Sequence, residues 1–430
     1  MTRYRKHIKP DWVLIGLYLA LVFSGWIAIY TVTGRDTFGD LINFDTSYGK
    51  QLIWIMLSFI LIALTFSLDN RFFEGYAGVI YVLSILLLLG LFVFGKNING
   101  QTNWYSFGGF SLQPSEFVKI ATALALASLT GDNLFKINYR RDLFKALAII
   151  FIPIIIITLQ KDVGSAIVFL SFIIVLIRKG LPIRLFIILA VLAFIFILTL
   201  KLGVTKTLLI SGLILGLNIF FAQKRQPLFI MRNYPILIGI ALGTVITIFG
   251  SRLAFDHILE PHHQDRLKLW LKTEKDPRKI NQLKRTYGYN NDQSIKTIAS
   301  GGFLGKGFLQ GDRTKGQFVP AQSTDYIFSA VGEEFGFIGS AFVIILFIGL
   351  ILRLIYQAER QKNNFNKYYG YGVAAIFFTH FFVNIGMVID LLPTVGIPLP
   401  FFSYGGSSLW SFTILLFIFI KIDANKIDEF

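Results

Sequence analysis

The stretch MTRYRKHIKPDWVLIGLYLALVFSGWIAIYTVT, residues 1–33, sets four Lys or Arg residues ahead of an apolar run of about 20. A helix rises 1.5 Å per residue, so about 20 apolar residues cross a hydrocarbon core of ~30 Å. A secretory leader has a shorter apolar core, roughly 7–15 residues, followed by a small-residue cleavage site. The run here is longer and no such site follows. It is read as a retained first transmembrane span.

The rest of the chain repeats this pattern. Of 430 residues, 54% are hydrophobic, 44 are Phe and only 15% are charged, with mean hydropathy +0.63. Soluble domains carry about a quarter charged residues. The fold class expected is an all-α polytopic membrane protein. The absence of Cys excludes disulfides and thiolate metal sites. A net charge of +16 could suggest nucleic acid, but in such a chain it reads better as Lys/Arg anchors beside spans.

Twelve spans are expected, at 13–33, 51–67, 76–95, 116–130, 144–160, 164–178, 185–201, 206–222, 234–251, 328–352, 370–391 and 405–421. With the N-terminus inside, the inner segments hold about 20 Lys/Arg and the short outer loops about 6. That excess follows the positive-inside rule and leaves both termini cytoplasmic. One outer segment, 252–327, is far longer than an ordinary connection. Its pieces DRLKLWLK and DQSIKTIASGGFLGKGF are amphipathic, which predicts short helices at the membrane face. The chain reads as a single membrane domain over 1–430.

Several polar motifs interrupt the apolar pattern. In NGQTNWYSFGGFSLQPSEFVKIA (99–121) a hairpin-like loop enters a helix at Pro114. Ser111 and Ser115 are candidate caps, and Glu116 with Lys119 is a local ion pair at helical spacing. An ionisable residue in a span is also a functional candidate by default. Trp104 and Tyr105 read as interfacial aromatics. In LQKDVGSAIVF (159–169), Asp162 is either a helix N-cap or a carboxylate facing a cavity. FVPAQSTDYIFSAVGEEFGFIG (318–339) puts Asp325, Glu333 and Glu334 at a span start, facing a polar interior. Its Gly332, Gly336 and Gly339 suit close helix packing. NIGMVIDLLPTVGIPLPFFSYGGSS (384–408) has the Pro and Gly content of an irregular loop lining a site. HILEPHH (257–263) matches no strong zinc spacing. LKTEKDPRKINQ (271–282) places Glu274 and Asp276 among Lys and Arg residues within the large loop. The bland reading of that run is solvated surface.

Taken together and in this order, the motifs at 99–121, 160–167, 293–311, 323–339 and 384–409 resemble the SEDS family (shape, elongation, division, sporulation). Val395 stands where division members tend to carry Lys, which places the chain on the rod-shape side. The resemblance implies about ten spans, so region 185–251 carries two more than the family. It also makes 252–327 the extracytoplasmic catalytic loop. The implied activity is a peptidoglycan glycosyltransferase that polymerises lipid II at the outer face of the bacterial cytoplasmic membrane. Implied partners are a class B penicillin-binding protein transpeptidase and elongation-complex membrane proteins, with no nucleic acid. The resemblance calls for no fixed cofactor, although a divalent cation is compatible with the chemistry.

Carried over by motif, the catalytic acid falls on Asp276, followed by Pro277, with Thr273 where the family has proline. The substrate-binding residues fall on Glu116, Lys119, Asp162, Gln293, Ser294, Lys306 and Asp325. Departures are Asn103 for Arg, Lys161 for Pro, and Ala321-Gln322-Ser323-Thr324-Asp325 for the usual E-x-H-T-D. In the implied reaction Asp276 acts as general base on a sugar hydroxyl, while loop cations and Lys119 neutralise the departing pyrophosphate. A lipid II flippase and a non-catalytic scaffold for the transpeptidase are the competing classes. Intramembrane charges alone fit the first of these equally well.

Overall fold

The structure, a computed structural model, describes residues 10–33, 43–98, 101–107, 110–225, 227–257, 261–274, 276–286 and 288–424. Its first elements are α1 (Trp12–Thr33), α2 (Ser47–Ser67), α3 (Asn70–Gly75) and α4 (Ala77–Phe94). A small antiparallel sheet follows, β1 (Lys96–Ile98), β2 (Gln101–Phe107) and β3 (Phe110–Leu112), in the order β1-β2-β3. Then come α5 (Pro114–Gly131), α6 (Arg140–Leu159), α7 (Val163–Phe169), α8 (Ile173–Lys179), α9 (Ile183–Leu202), α10 (Val204–Arg225) and α11 (Pro227–His257). The large loop carries α12 (Pro261–Leu271), α13 (Pro277–Thr286), α14 (Tyr289–Gly301) and α15 (Asp312–Lys315). The chain ends on α16 (Ile327–Glu359), α17 (Asn364–Val388) and α18 (Gly406–Ala424).

Each of the twelve expected segments is helical. Among the described residues, nine helices are long and apolar enough to cross a membrane. The other three depart for visible reasons. α5 carries Glu116, Lys119 and several hydroxyls. α7 and α8 are short and joined by a 3-10 turn at 170–172. α10 runs Val204–Arg225, and its Val204–Leu217 part is apolar. The amphipathic pieces of the large loop do form helices, α12 and α14. The chain divides into two compact units, residues 1–181 with 293–430, and residues 182–292.

Within the first unit the core is built on the later helices. About 83% of the apolar window of α18 and 72% of that of α17 is buried, against 22% for α2 and α4. The start of α1 is tied to the far end of α16. Asp11 caps the helix, accepting from the N–H groups of Val13 (2.9 Å) and Leu14 (3.2 Å), and Arg353 Nε donates to it at 2.8 Å. Burial works to raise the Asp11 carboxyl. The bonds from Arg353, Gln357 and Leu14, with the Arg353 charge, outweigh it, and the group sits below the ordinary value of 3.8.

α16 is not one continuous helix. At Gly336 the backbone takes φ 62°, ψ −155°, a conformation open to glycine and costly for other residues. Such a break frees backbone groups that must find partners inside a protein spanning lipid. The turn after α14 supplies them. Lys306 N donates to Glu333 O (3.0 Å) and Gly307 N to Glu334 O (2.9 Å), while Phe337 N donates to Gly302 O (3.0 Å). A Cβ on Gly336 would lie 2.3 Å from Gly305 N, and one on Gly305 would lie 2.1 Å from Glu334 O. Gly332 packs closely on Ile298 of α14, as expected, whereas the expectation fails for the other two glycines of α16. Gly336 breaks the helix and meets a loop backbone, while a Cβ on Gly339 would strike Phe335 of its own helix.

Gly336→Ala is therefore expected to destabilise the protein by at least about 1–3 kcal/mol. Gly212→Ala, on α10 with nothing within 4 Å of the added carbon, should be neutral or stabilising by up to ~1 kcal/mol. Thermal unfolding of the detergent-purified variants measures both.

Candidate functional site

α5 begins where Pro114 needs no backbone hydrogen bond, at the first helical position. Neither expected serine caps it. The cap position is Gln113, Ser111 lies on β3, and the buried Ser115 hydroxyl has no hydrogen-bond partner among the described residues. The extended conformation at Gln113 instead sends its side chain to Asp162, with Nε2 donating at 3.1 Å.

Asp162 satisfies both sequence readings at once. Its Oδ1 caps α7 by accepting from Ser165 N (3.0 Å), and its Oδ2 accepts from Asn103 Nδ2 (2.8 Å) and Ser165 Oγ (2.8 Å). It also lines a cavity of about 600 Å³. The cavity is walled by Asn103 and Trp104 of β2, Gln113 and Glu116 at the start of α5, and Thr324 and Asp325 before α16. Gly396, Pro398 and Tyr404 of the irregular loop complete it. So the 384–408 segment lines a cavity. Trp104 lines the cavity too, and Tyr105 spends its hydroxyl on Leu87 O at 2.9 Å.

Behind Glu116 lies Lys119, 1% exposed. Its ammonium donates to both Glu116 oxygens, each at 2.9 Å, and to His380 Nε2 at 2.9 Å. Ser411 Oγ adds a bond to Glu116 at 3.0 Å. All three ammonium hydrogens are thus used. Glu116, Asp162 and Asp325 line the cavity, and no Lys or Arg does among the described residues. Lys119, expected to meet a pyrophosphate, therefore serves the Glu116 carboxylate rather than the cavity surface.

The remaining expected residues lie elsewhere. Ser294 is fully buried and donates to Val388 O at 2.9 Å, holding α14 against the end of α17. Gln293 and Lys306 belong to a second polar cluster around Glu333. That buried carboxylate accepts from Lys306 Nζ (2.7 Å), Thr314 Oγ1 (2.7 Å), Thr314 N (2.8 Å), Arg313 N (3.1 Å) and Ser300 Oγ (3.1 Å). Arg313 also donates to Gln293 and, at 3.1 Å, to Thr297 Oγ1. The bond to Glu333 and then that to Asp312 hold the Lys306 ammonium above its ordinary range against burial. As expected, Glu333 and Glu334 face the interior, both almost completely buried.

Asp276 lies in the second unit and is exposed. It caps α13, with its Oδ1 accepting from Arg278 N at 2.9 Å, while Glu274 accepts from Asp276 N at 3.2 Å. The same unit has a cleft of about 230 Å³ lined by Arg252, Asp256, Lys268, Thr273 and Glu274. Of the HILEPHH motif, Glu260 and the side chains of His262 and His263 fall outside the described residues.

Sequence reasoning missed His380, although a lone ionisable residue in an apolar span is the same signal that marked Glu116. It also missed Arg313 and Thr314, which carry no local signal. Removing one partner of a buried pair leaves an unpaired charge, at a cost of about 3–5 kcal/mol, whereas removing both is close to neutral. Lys119→Met should accordingly lower thermal stability more than the double variant Glu116→Gln/Lys119→Met, as read by unfolding in detergent.

With this geometry in place, comparison with known proteins is informative. The chain matches the FtsW/RodA/SpoVE family of cell cycle proteins over residues 11–210 and 205–427. It is 32% identical to the peptidoglycan glycosyltransferase RodA of Treponema pallidum (strain Nichols), covering 97% of this chain and 98% of that one. It is 30% identical to the peptidoglycan glycosyltransferase MrdB of Escherichia coli (strain K12), over 94% of this chain and 90% of that one. Its fold is similar to a chain of a solved peptidoglycan synthase complex that coordinates polymerization and crosslinking. There the TM-score is 0.67 at 24% identity, covering 97% of this chain and 99% of that one. It is also similar to the crystal structure of Thermus thermophilus rod shape determining protein RodA, with TM-score 0.59 at 21% identity and 97% of each chain covered. Since the family match runs nearly end to end and two relatives of at least 30% identity are covered almost whole, the chain belongs to the FtsW/RodA/SpoVE family, the SEDS family that its motifs resemble.

Proposed function

We propose that this protein is a peptidoglycan glycosyltransferase, polymerising lipid II into glycan strands during cell elongation and shape maintenance. Family membership and the names of the full-length relatives support the activity. The single structural observation that carries it is the cavity. Carboxylates, amides and hydroxyls line it together with Trp54, Trp104 and Tyr404. Such a lining suits a polyhydroxylated ring, whose hydroxyls donate to carboxylates and accept from amides while its C–H faces lie on aromatic rings.

The reaction joins the 4-hydroxyl of one GlcNAc to the anomeric carbon of another sugar. The hydroxyl loses a proton, the new C–O bond forms, and the lipid pyrophosphate departs with the electron pair. Asp276 is assigned as the base. The cations around it in the loop, such as Arg278 and Lys279, are assigned to the leaving group. General-base catalysis contributes typically 10²–10⁴-fold. The cavity carboxylates Glu116, Asp162 and Asp325 are assigned to sugar binding, and Gln293, Ser294 and Lys306 to the ordering of the loop beyond α13. The protein would work in the bacterial cytoplasmic membrane with both termini inside and the 252–327 loop outside. Its partner would be a class B penicillin-binding protein, alongside other membrane proteins of the elongation complex. The chain holds no cysteine, so a divalent cation would meet oxygen or imidazole nitrogen ligands.

A flippase is the second reading. The buried Glu116–Lys119 pair beside a polar cavity favours it, because intramembrane charges also mark transport paths.

Asp276→Asn separates chemistry from structure at the loop. Asparagine caps helices as well as aspartate does, so α13 should persist while the base is lost. Polymerisation of lipid II by the purified variant should fall by about 10²–10⁴-fold, and Glu274→Gln should retain most activity. An undiminished rate for Asp276→Asn would refute the assignment.

A further inference from the structure

The irregular backbone at 396–398 sets a problem that α17 solves with one face. Two carbonyls there, of Ile397 and Pro398, and that of Asp325 before α16 lie away from any regular structure, in a region that would strand them without protein partners. Asn384 Nδ2 donates to Ile397 O at 2.8 Å and to Asp325 O at 2.9 Å. One turn earlier, His380 Nδ1 lies 3.0 Å from Pro398 O. Residues four apart share a helix face, so a single strip of α17 holds both the loop and the segment carrying Asp325. Both side chains are almost wholly buried.

His380 differs from Asn384 in what its second nitrogen does. Nε2 lies 2.9 Å from the Lys119 ammonium, which is donor only. Nε2 must therefore accept, and the ring proton must sit on Nδ1, where the Pro398 carbonyl receives it. The ring is fixed in orientation as well as tautomer. Phe412 meets it in a T-shaped contact, with centroids 4.8 Å apart at 86°, and the Lys119 ammonium lies over the Phe412 ring, 4.7 Å from its centroid. A continuous buried chain thus runs from Glu116 through Lys119 and His380 to Pro398 O. Both its ends line the cavity.

We infer that His380 is a positioning residue that sets the Glu116 carboxylate and the 396–398 loop in one register across the cavity, while Asn384 does the same for Asp325. It requires an imidazole protonated on Nδ1 and bare on Nε2. The effect on turnover rests on the glycosyltransferase reading, but the hydrogen-bond chain does not. Misplacement by about 1 Å can cost roughly 10²-fold in rate. A residue that merely fills space would show no such requirement for a donor and an acceptor on opposite edges.

The test uses the full-length protein in detergent, with lipid II as substrate. His380→Phe keeps the bulk and removes both bonds, and kcat should fall about 10–100-fold while KM changes little. His380→Gln offers one donor and one acceptor, and should recover much of the loss. Equal activity of His380→Phe and wild type, or a loss confined to KM, would overturn the inference, as would failure of His380→Gln to improve on a folded His380→Phe. A second measurement needs no turnover. Solid-state ¹⁵N NMR of histidine-labelled wild type should show one imidazole with a protonated Nδ1 and a bare Nε2, and His380→Gln should abolish that signal. A proton on Nε2, or on both nitrogens, would overturn the tautomer and with it the inference. If wild-type protein forms no glycan at all, the glycosyltransferase reading fails, and the spectrum still decides the hydrogen-bond chain.

Discussion

Polar groups withdrawn from water must find partners within the protein, and the buried Glu116–Lys119 pair is where this demand is sharpest. An ammonium with three hydrogens has three acceptors, two from Glu116 and one from His380. α5, α17 and α18 all contribute to the cluster, because Ser411 of α18 also donates to Glu116. These are among the elements that build the core of the first unit. The ion pair therefore fixes where they meet, and one edge of it becomes the cavity wall. Buried pairs are weak sources of stability but strict about geometry. That suits a site whose carboxylates must hold still.

The same demand explains the break in α16. Gly336 frees backbone groups, and the turn at 301–307 takes them up with hydrogen bonds of its own. The large loop is thereby tied at its C-terminal end to a kinked helix, next to the Glu333 cluster. Glu333 accepts from five donors on three segments, so its carboxylate organises the turn rather than facing solvent.

Much of this was legible in the sequence. Apolar length located every helix that replaces an expected span, because lipid solvation depends on composition more than on tertiary detail. Spacing identified Glu116 with Lys119, and the tight turn marked Asp162. What failed was whatever depends on distant segments. Ser111 and Ser115 looked like caps, but β3 and Pro114 claimed that corner of the chain. Gly332 does pack on a helix, at Ile298 of α14, but the partner at Gly336 is a loop backbone some 30 residues earlier in sequence, and Gly339 meets Phe335 of its own helix. The choice of Asp276 over Glu274 came from family resemblance, and in the structure the two acids stand side by side in one capping turn.

The architecture and the activity are linked by one claim: this membrane protein makes bonds rather than moving lipid. The most direct measurement incubates the purified wild-type protein, alone in detergent, with fluorescent lipid II and resolves the products by gel. No transbilayer step exists in that assay. The account predicts a ladder of glycan strands, with lipid pyrophosphate released for each sugar bond formed. Recovery of intact lipid II from folded protein, together with movement of lipid II between leaflets when the protein is placed in vesicles, would contradict it.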